Sequence, residues 1–128
     1  LSGNPLAVAA GLETLRILKE DNPYSDLGKK TAWLSEEFQS AGKSAGIPVQ
    51  TNAMGSMFGF FFSEDPVMNY QQALRTDTVR FAMFFKRMLK HGIYIAPSAF
   101  ESLFLSTAHS EEDLERTAKA FKKSLHGD

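Results

Sequence analysis

The sequence has no cysteine. That excludes a disulfide framework and thiolate metal sites, and it is compatible with a reducing cytoplasm, where we expect the protein. Charge of one sign is also missing. Fourteen Lys and Arg stand against 15 Asp and Glu, a net charge of −1. A nucleic-acid surface or a basic membrane anchor needs a positive patch, so neither partner is expected. No apolar run approaches the roughly 18 residues of a membrane span. The densest, Met57 to Phe62, is strand-sized. No basic segment followed by an apolar one opens the chain as a secretory leader would. The first residue is Leu1 rather than Met, and a helix begins almost at once. We expect the natural product to extend upstream.

What is present suits one domain with a sizeable core: 128 residues, 43% of them hydrophobic and 23% charged. Asn4-Pro5 is a helix start, since Asn caps and Pro is tolerated at the first helical position. Val8, Leu12, Leu15 and Leu18 then recur at helical spacing and predict a helix to about Glu20. Asn22-Pro23 reads as a second cap of the same kind. Tyr24, Leu27, Thr31, Leu34, Phe38, Ala41 and Ala45 form one stripe, and Gly46 is its natural stop.

Beyond it, residues 47–51 read as a strand, with Pro48 at its beginning or on an edge. Residues 52–56 read as a turn. Met57 to Phe62 reads as a central strand covered on both faces. After a polar connection with a short helical turn near Tyr70 to Leu74, Phe81, Phe84, Phe85 and Met88 mark a helix over 78–91, closed by Gly92. Residues 93–96 and 103–106 read as strands. Ser110 and Asp113 have capping-box spacing, and Leu114, Ala118, Phe121 and Leu125 form the buried face of the last helix. The order argues α+β: a mainly antiparallel sheet of three or four strands, covered on one face by helices and preceded by a long connecting helix. The helix within residues 1–20 has no obvious partner and is expected to belong with a missing domain, while residues 21–128 hold the other elements.

Few residues carry an obvious chemistry. His91, His109 and His126 lie in different elements and have no partner at metal-ligand spacing, so they read as surface or loop histidines and no metal is expected. Gly55 to Gly59 lacks the ending of a phosphate loop and precedes a strand. Phe58, Phe60, Phe61 and Phe62 have no Lys or Arg nearby and read as core, not as a stacking platform. No nucleophile triad is visible. The lysines sit mostly on polar helix faces, where nothing would desolvate one for a Schiff base. Glu101 is open to two readings. Ser98-Ala99-Phe100-Glu101 has the spacing of a capping box, and the same carboxylate follows an apolar run at a position that could point into a site. Leu1 to Pro5 is a helix start, and a helix start is also a place for an anion.

Three stretches carry a resemblance. They are Leu1-Ser2-Gly3-Asn4-Pro5-Leu6-Ala7 with Ala9-Ala10-Gly11, then Gly92 to Glu101 with its Ala96-Pro97-Ser98-Ala99-Phe100-Glu101 ending, then Phe104-Leu105-Ser106-Thr107-Ala108-His109 through Asp113. In this order they resemble the class III aminotransferase family of fold-type I pyridoxal-phosphate enzymes, and within it the glutamate-1-semialdehyde 2,1-aminomutases. The likeness spans the whole chain and looks like the C-terminal small domain with its connecting helix.

The resemblance implies a cytoplasmic homodimer that uses pyridoxal 5'-phosphate to isomerise glutamate-1-semialdehyde to 5-aminolevulinate, for tetrapyrroles such as haem and chlorophyll. It implies that the Schiff-base lysine lies in the large domain, so no catalytic residue is expected in this chain and the chain alone should be inert and hold no cofactor. Glu101 matches the small-domain acid that faces the substrate. Ser2, Gly3 and Asn4 match residues close to the cofactor phosphate. Relatives often follow that acid with Ala-Gly, whereas here Ser102-Leu103 follows. Two alternatives remain: the small domain of another class III aminotransferase, or a stand-alone binding or dimerisation module.

Overall fold

The computed structural model describes residues 3–126. Five helices and three strands follow in the order α1 (Pro5–Asp21), α2 (Tyr24–Ala45), β1 (Gln50–Met54), β2 (Met57–Phe61), α3 (Tyr70–Ala73), α4 (Thr78–Lys90), β3 (Leu103–Phe104) and α5 (Glu111–Leu125). The sheet is antiparallel, in the order β1-β2-β3. The α+β class and the leading long helix are as the pattern predicts.

Polar punctuation explains most helix ends. Gly46 and Gly92 take the left-handed conformation after α2 and α4, at φ of 67° and 77°. Each lets the next amide turn back: Ile47 N–H donates to the Gly42 carbonyl and Ile93 N–H to that of Met88, both at 2.9 Å. At α5 the capping box closes both ways. The Ser110 hydroxyl accepts from Asp113 N–H, and the Asp113 carboxylate accepts from Ser110 N–H. The Ser110 side chain, then its backbone, hold the Asp113 carboxyl below its ordinary range. Asn22 departs from expectation. It does not cap α2, which has no side-chain cap; it ends α1 in the left-handed conformation at φ 41°. Asn visits that region more readily than other non-glycine residues, so one dipeptide signal served the helix before it.

The core is aromatic. Phe58, Phe60 and Phe62 alternate along β2 and its continuation and turn toward the helices. Phe60 is the hub, with ring centroids 5.6 Å from Phe38 of α2, 5.5 Å from Phe84 of α4 and 5.3 Å from Phe121 of α5. Phe38 and Phe121 stack at 3.7 Å. Arg87 of α4 donates to the Ser124 carbonyl near the end of α5, 3.2 Å away, where a cation also suits the helix dipole.

Several strand expectations are corrected. β1 begins at Gln50 rather than at 47, because Ile47 N–H is spent closing α2 and Pro48 has none to offer. Asn52 to Met54, read as a turn, belong to the strand, and the hairpin turns on Gly55-Ser56 alone between the paired Met54 and Met57. β2 is central but covered by helices on one face only; Met57 and Phe61 on the other stay partly exposed. β3 stops at Phe104. Residues 93–96 form no strand and join no strand of the sheet among the described residues. Their alternation is real in burial, with Ile95 inside and Tyr94 outside, but β3 is too short to offer them a ladder.

Helix α1 buries none of its residues. Its apolar positions face solvent, and an Arg16 pairing with Glu13 and Glu20 holds its outer side. That pairing raises the Arg16 guanidinium and lowers the Glu13 carboxyl.

Candidate functional site

Glu101 is delivered by a loop, not by a helix. After Gly92 the chain runs without regular structure to Ala96 and turns at 97–101. The Ser98 hydroxyl accepts from Phe100 N–H at 3.2 Å, and the Ser98 carbonyl accepts from Glu101 N–H at 3.2 Å. The capping box expected here is therefore not made. A box needs the serine to accept from the residue three ahead and a helix to follow, whereas Ser102 leads straight into β3. The Glu101 carboxylate makes no hydrogen bond or ion pair with any described residue and is open to solvent. Beside it Phe100 meets Tyr70 edge-on at 6.4 Å. A free carboxylate on a turn tied by two hydrogen bonds can receive a cationic group brought to it.

The second group of expected residues is at the start of α1. Gly3 has φ of 83°, a conformation that favours glycine. The Asn4 side-chain oxygen accepts from Leu6 N–H at 3.0 Å and from Ala7 N–H at 3.2 Å, and its carbonyl accepts from Val8 N–H at 2.9 Å. Helix N–H groups that would greet an anion are thus already engaged by Asn4. Ser2 lies outside the described residues. Among the described residues no hydrogen bond, ion pair or ring contact joins Gly3 or Asn4 to the Glu101 turn.

No described lysine is buried. Lys30, the least exposed of those in ion pairs, is held by Asp26 at 3.0 Å. Among the described residues no cluster of three or more His, Asp or Glu could hold a metal, and none of the described helices is long and apolar enough to cross a membrane. His91 and His126 are exposed, but His109 is half-buried and engaged: Ser106 N–H donates to its Nδ1 at 3.0 Å. That contact was not read from the sequence. Its signal is the Ser-x-x-His spacing across a predicted turn.

Comparison with known proteins gives this geometry its context. No family model matches the chain. It is 50% identical over 125 residues to the glutamate-1-semialdehyde 2,1-aminomutase of Chlorobaculum tepidum, covering 98% of this chain and 29% of that protein. It is 50% identical over 126 residues to that of Citrifermentans bemidjiense, covering 95% and 30%. A solved structure described as a transaminase with PLP bound superposes with a TM-score of 0.74 at 25% identity, over 95% of this chain and 27% of that one. The chain therefore spans just under a third of the length of these curated relatives. At about half identity over 95–98% of its own length, it resembles a segment of the glutamate-1-semialdehyde 2,1-aminomutase family, the family that its three motif stretches indicated.

Proposed function

We propose that this chain is the C-terminal small domain, with its connecting helix, of a homodimeric, cytoplasmic aminomutase. The intact enzyme converts glutamate-1-semialdehyde to 5-aminolevulinate, for tetrapyrroles such as haem and chlorophyll. The observation that carries the reading is the 50% identity to a named aminomutase over 98% of the chain. Solved transaminases with the same fold support the class of chemistry. The pyridoxal phosphate of such an enzyme supplies an electron sink for chemistry at the carbon bearing the amino group. The anchoring lysine belongs to the part of the protein outside this chain.

The residues here fit one end of that group. Gly3 offers a backbone with nothing within 4 Å of where a side chain would start, and Asn4 sits at the positive end of α1. In the intact protein Ser2, Gly3 and Asn4 would lie near the phosphate. Because Asn4 already holds the first amides of α1, it would position that helix end and leave the closest approach to Gly3. Glu101 would hold the amino group of the substrate by charge and orient it. That no described residue hydrogen-bonds or pairs with its carboxylate supports that role.

The test is a chimera. The matching segment of the Chlorobaculum tepidum aminomutase is replaced by residues 1–128, and 5-aminolevulinate is assayed. We expect turnover from the chimera and none from the 128-residue chain mixed with cofactor and substrate. Glu101→Gln in the chimera should lower kcat/KM by about a hundredfold, the scale of a mispositioned reactant. A chimera that folds and binds cofactor but transfers amino groups to 2-oxoglutarate would instead make the chain part of an ordinary class III transaminase. Turnover by the isolated chain would sink the reading.

A further inference from the structure

The connection between β3 and α5 is tied at one histidine. Ser106 N–H donates to His109 Nδ1 at 3.0 Å, and a backbone amide can only donate, so Nδ1 must be the unprotonated nitrogen. The proton of the neutral ring is therefore on Nε2. The Ser106 hydroxyl, 3.2 Å from the same Nδ1, donates to it as well, while its oxygen accepts from Ala108 N–H at 3.3 Å. His109 N–H closes the turn on the Ser106 carbonyl at 3.1 Å. One residue earlier, Leu105 N–H is bonded to the Ser56 carbonyl in the β1–β2 hairpin turn at 2.9 Å. The four residues 106–109 thus hold the end of β3 against the start of α5.

We propose that His109 is a proton-operated latch on the β3–α5 turn, closed while its imidazole is neutral and released when Nδ1 takes a proton. Protonation sets an N–H against the Ser106 N–H across 3.0 Å, with no lone pair between them. The Ser106 hydroxyl can reverse and accept from the new Nδ1–H, but the Ser106 N–H is left facing a donor and loses its acceptor. The groups that face this ring share its groove with it. From α5 they are Asp113 and Arg116, of opposite charge; residues 92–96 contribute Tyr94, and α2 and β3 contribute no charge. Asp113 is already committed to the Ser110 capping box, so it is poorly placed to replace the lost contact. Release loosens the C-terminal anchor of β3, two residues beyond Glu101 at its nearer end. This inference stands on the turn geometry alone and does not depend on the enzyme reading.

The test is NMR on the 128-residue chain. At pH 7.5 the imidazole nitrogens of His109 should show Nε2–H with Nδ1 bare. As pH is lowered from 7.5, the Ser106 amide should shift together with the His109 ring signals. Its protection against hydrogen exchange, corrected for intrinsic rate, should fall roughly two- to tenfold, the scale of one hydrogen bond. The ring signals of His91 and His126, which are exposed, serve as internal controls and should not track the Ser106 amide. His109→Phe should leave Ser106 unprotected at both pH values, and the wild-type titration decides the matter if that variant does not fold. A proton on Nδ1 at pH 7.5, or Ser106 protection that is unchanged while His109 titrates, would overturn the latch.

Discussion

Leu34 and Phe38 of α2 are 1% exposed, whereas Leu12 and Leu15 of α1 are 64% exposed, although both pairs sit on apolar stripes of helical spacing. The stripe of α2 is met by Phe58 and Phe60 of the sheet and by Phe121 of α5. The stripe of α1 is met by nothing that buries it. Periodicity therefore reports that a helix has a face to bury, not what will cover it. In α2 the cover is close in sequence and in space. Among the described residues nothing covers α1, and whether a cover exists is what the Leu12 and Leu15 double variant tests. The contrast also sorts the candidate residues. Gly3 and Asn4 ride on the helix that is not packed, and Glu101 rides on the body that is.

The largest effect should come from the hub of the packed body. Phe60→Ala removes a ring that touches α2, α4 and α5 at once, and should cost about 3–5 kcal/mol in denaturant unfolding, with loss of the cooperative transition if the domain is marginal. Should the cost prove below about 1 kcal/mol, the aromatic cluster would not be what holds helices to sheet, and the difference between α1 and α2 would need another cause.

A smaller effect is confined to α2 itself. A Cβ added to Gly42 would lie 2.6 Å from Val49 Cγ2 and 2.8 Å from the Ile47 carbonyl oxygen, whereas one added to Gly28 would meet nothing within 4 Å. Gly28→Ala should stabilise the chain by about 0.5–1 kcal/mol, since alanine loses less entropy in a helix. Gly42→Ala should instead destabilise it by about 1–3 kcal/mol through overpacking. Opposite signs for one substitution in one helix would locate the close approach of residues 47–49 to α2. Two stabilising results would mean that the chain after Gly46 lies farther off.

That approach was not legible beforehand, and the reason is general to this fold. The α2 stripe, the Gly46 and Gly92 stops and the Ser110–Asp113 box were readable because cause and effect lie within four residues. Gly42 gives no such signal, because its constraint comes from where residues 47–49 return. Residues 93–96 had the alternation of a strand but no partner long enough to make one. Glu101 had the spacing of a capping box, and only the extended path of Ser102 and Leu103 decides that no helix follows. The likeness carried by the motif stretches went further than local pattern here, since it named a family when spacing alone left Glu101 open. Whether Glu101, Gly3 and Asn4 share one site is a matter for the proposed intact enzyme, and neither local pattern nor packing within the described residues speaks to it.

The smallest effect should be on α1. Leu12→Gln with Leu15→Gln changes two side chains that make no buried contact, and unfolding of the chain should move by no more than about 0.5 kcal/mol. The same pair in the chimeric enzyme should behave differently. If the rest of the protein covers this stripe, two leucines buried there would bring about 1.5–3 kcal/mol each in apolar burial, and the double variant should unfold at a clearly lower temperature. A change confined to the chimera would show that α1 is a face awaiting a cover supplied by the intact protein. Equal, small changes in both would leave α1 a solvent-facing helix whose leucines have no partner, and a large change in the chain alone would mean that α1 already packs on the body in solution.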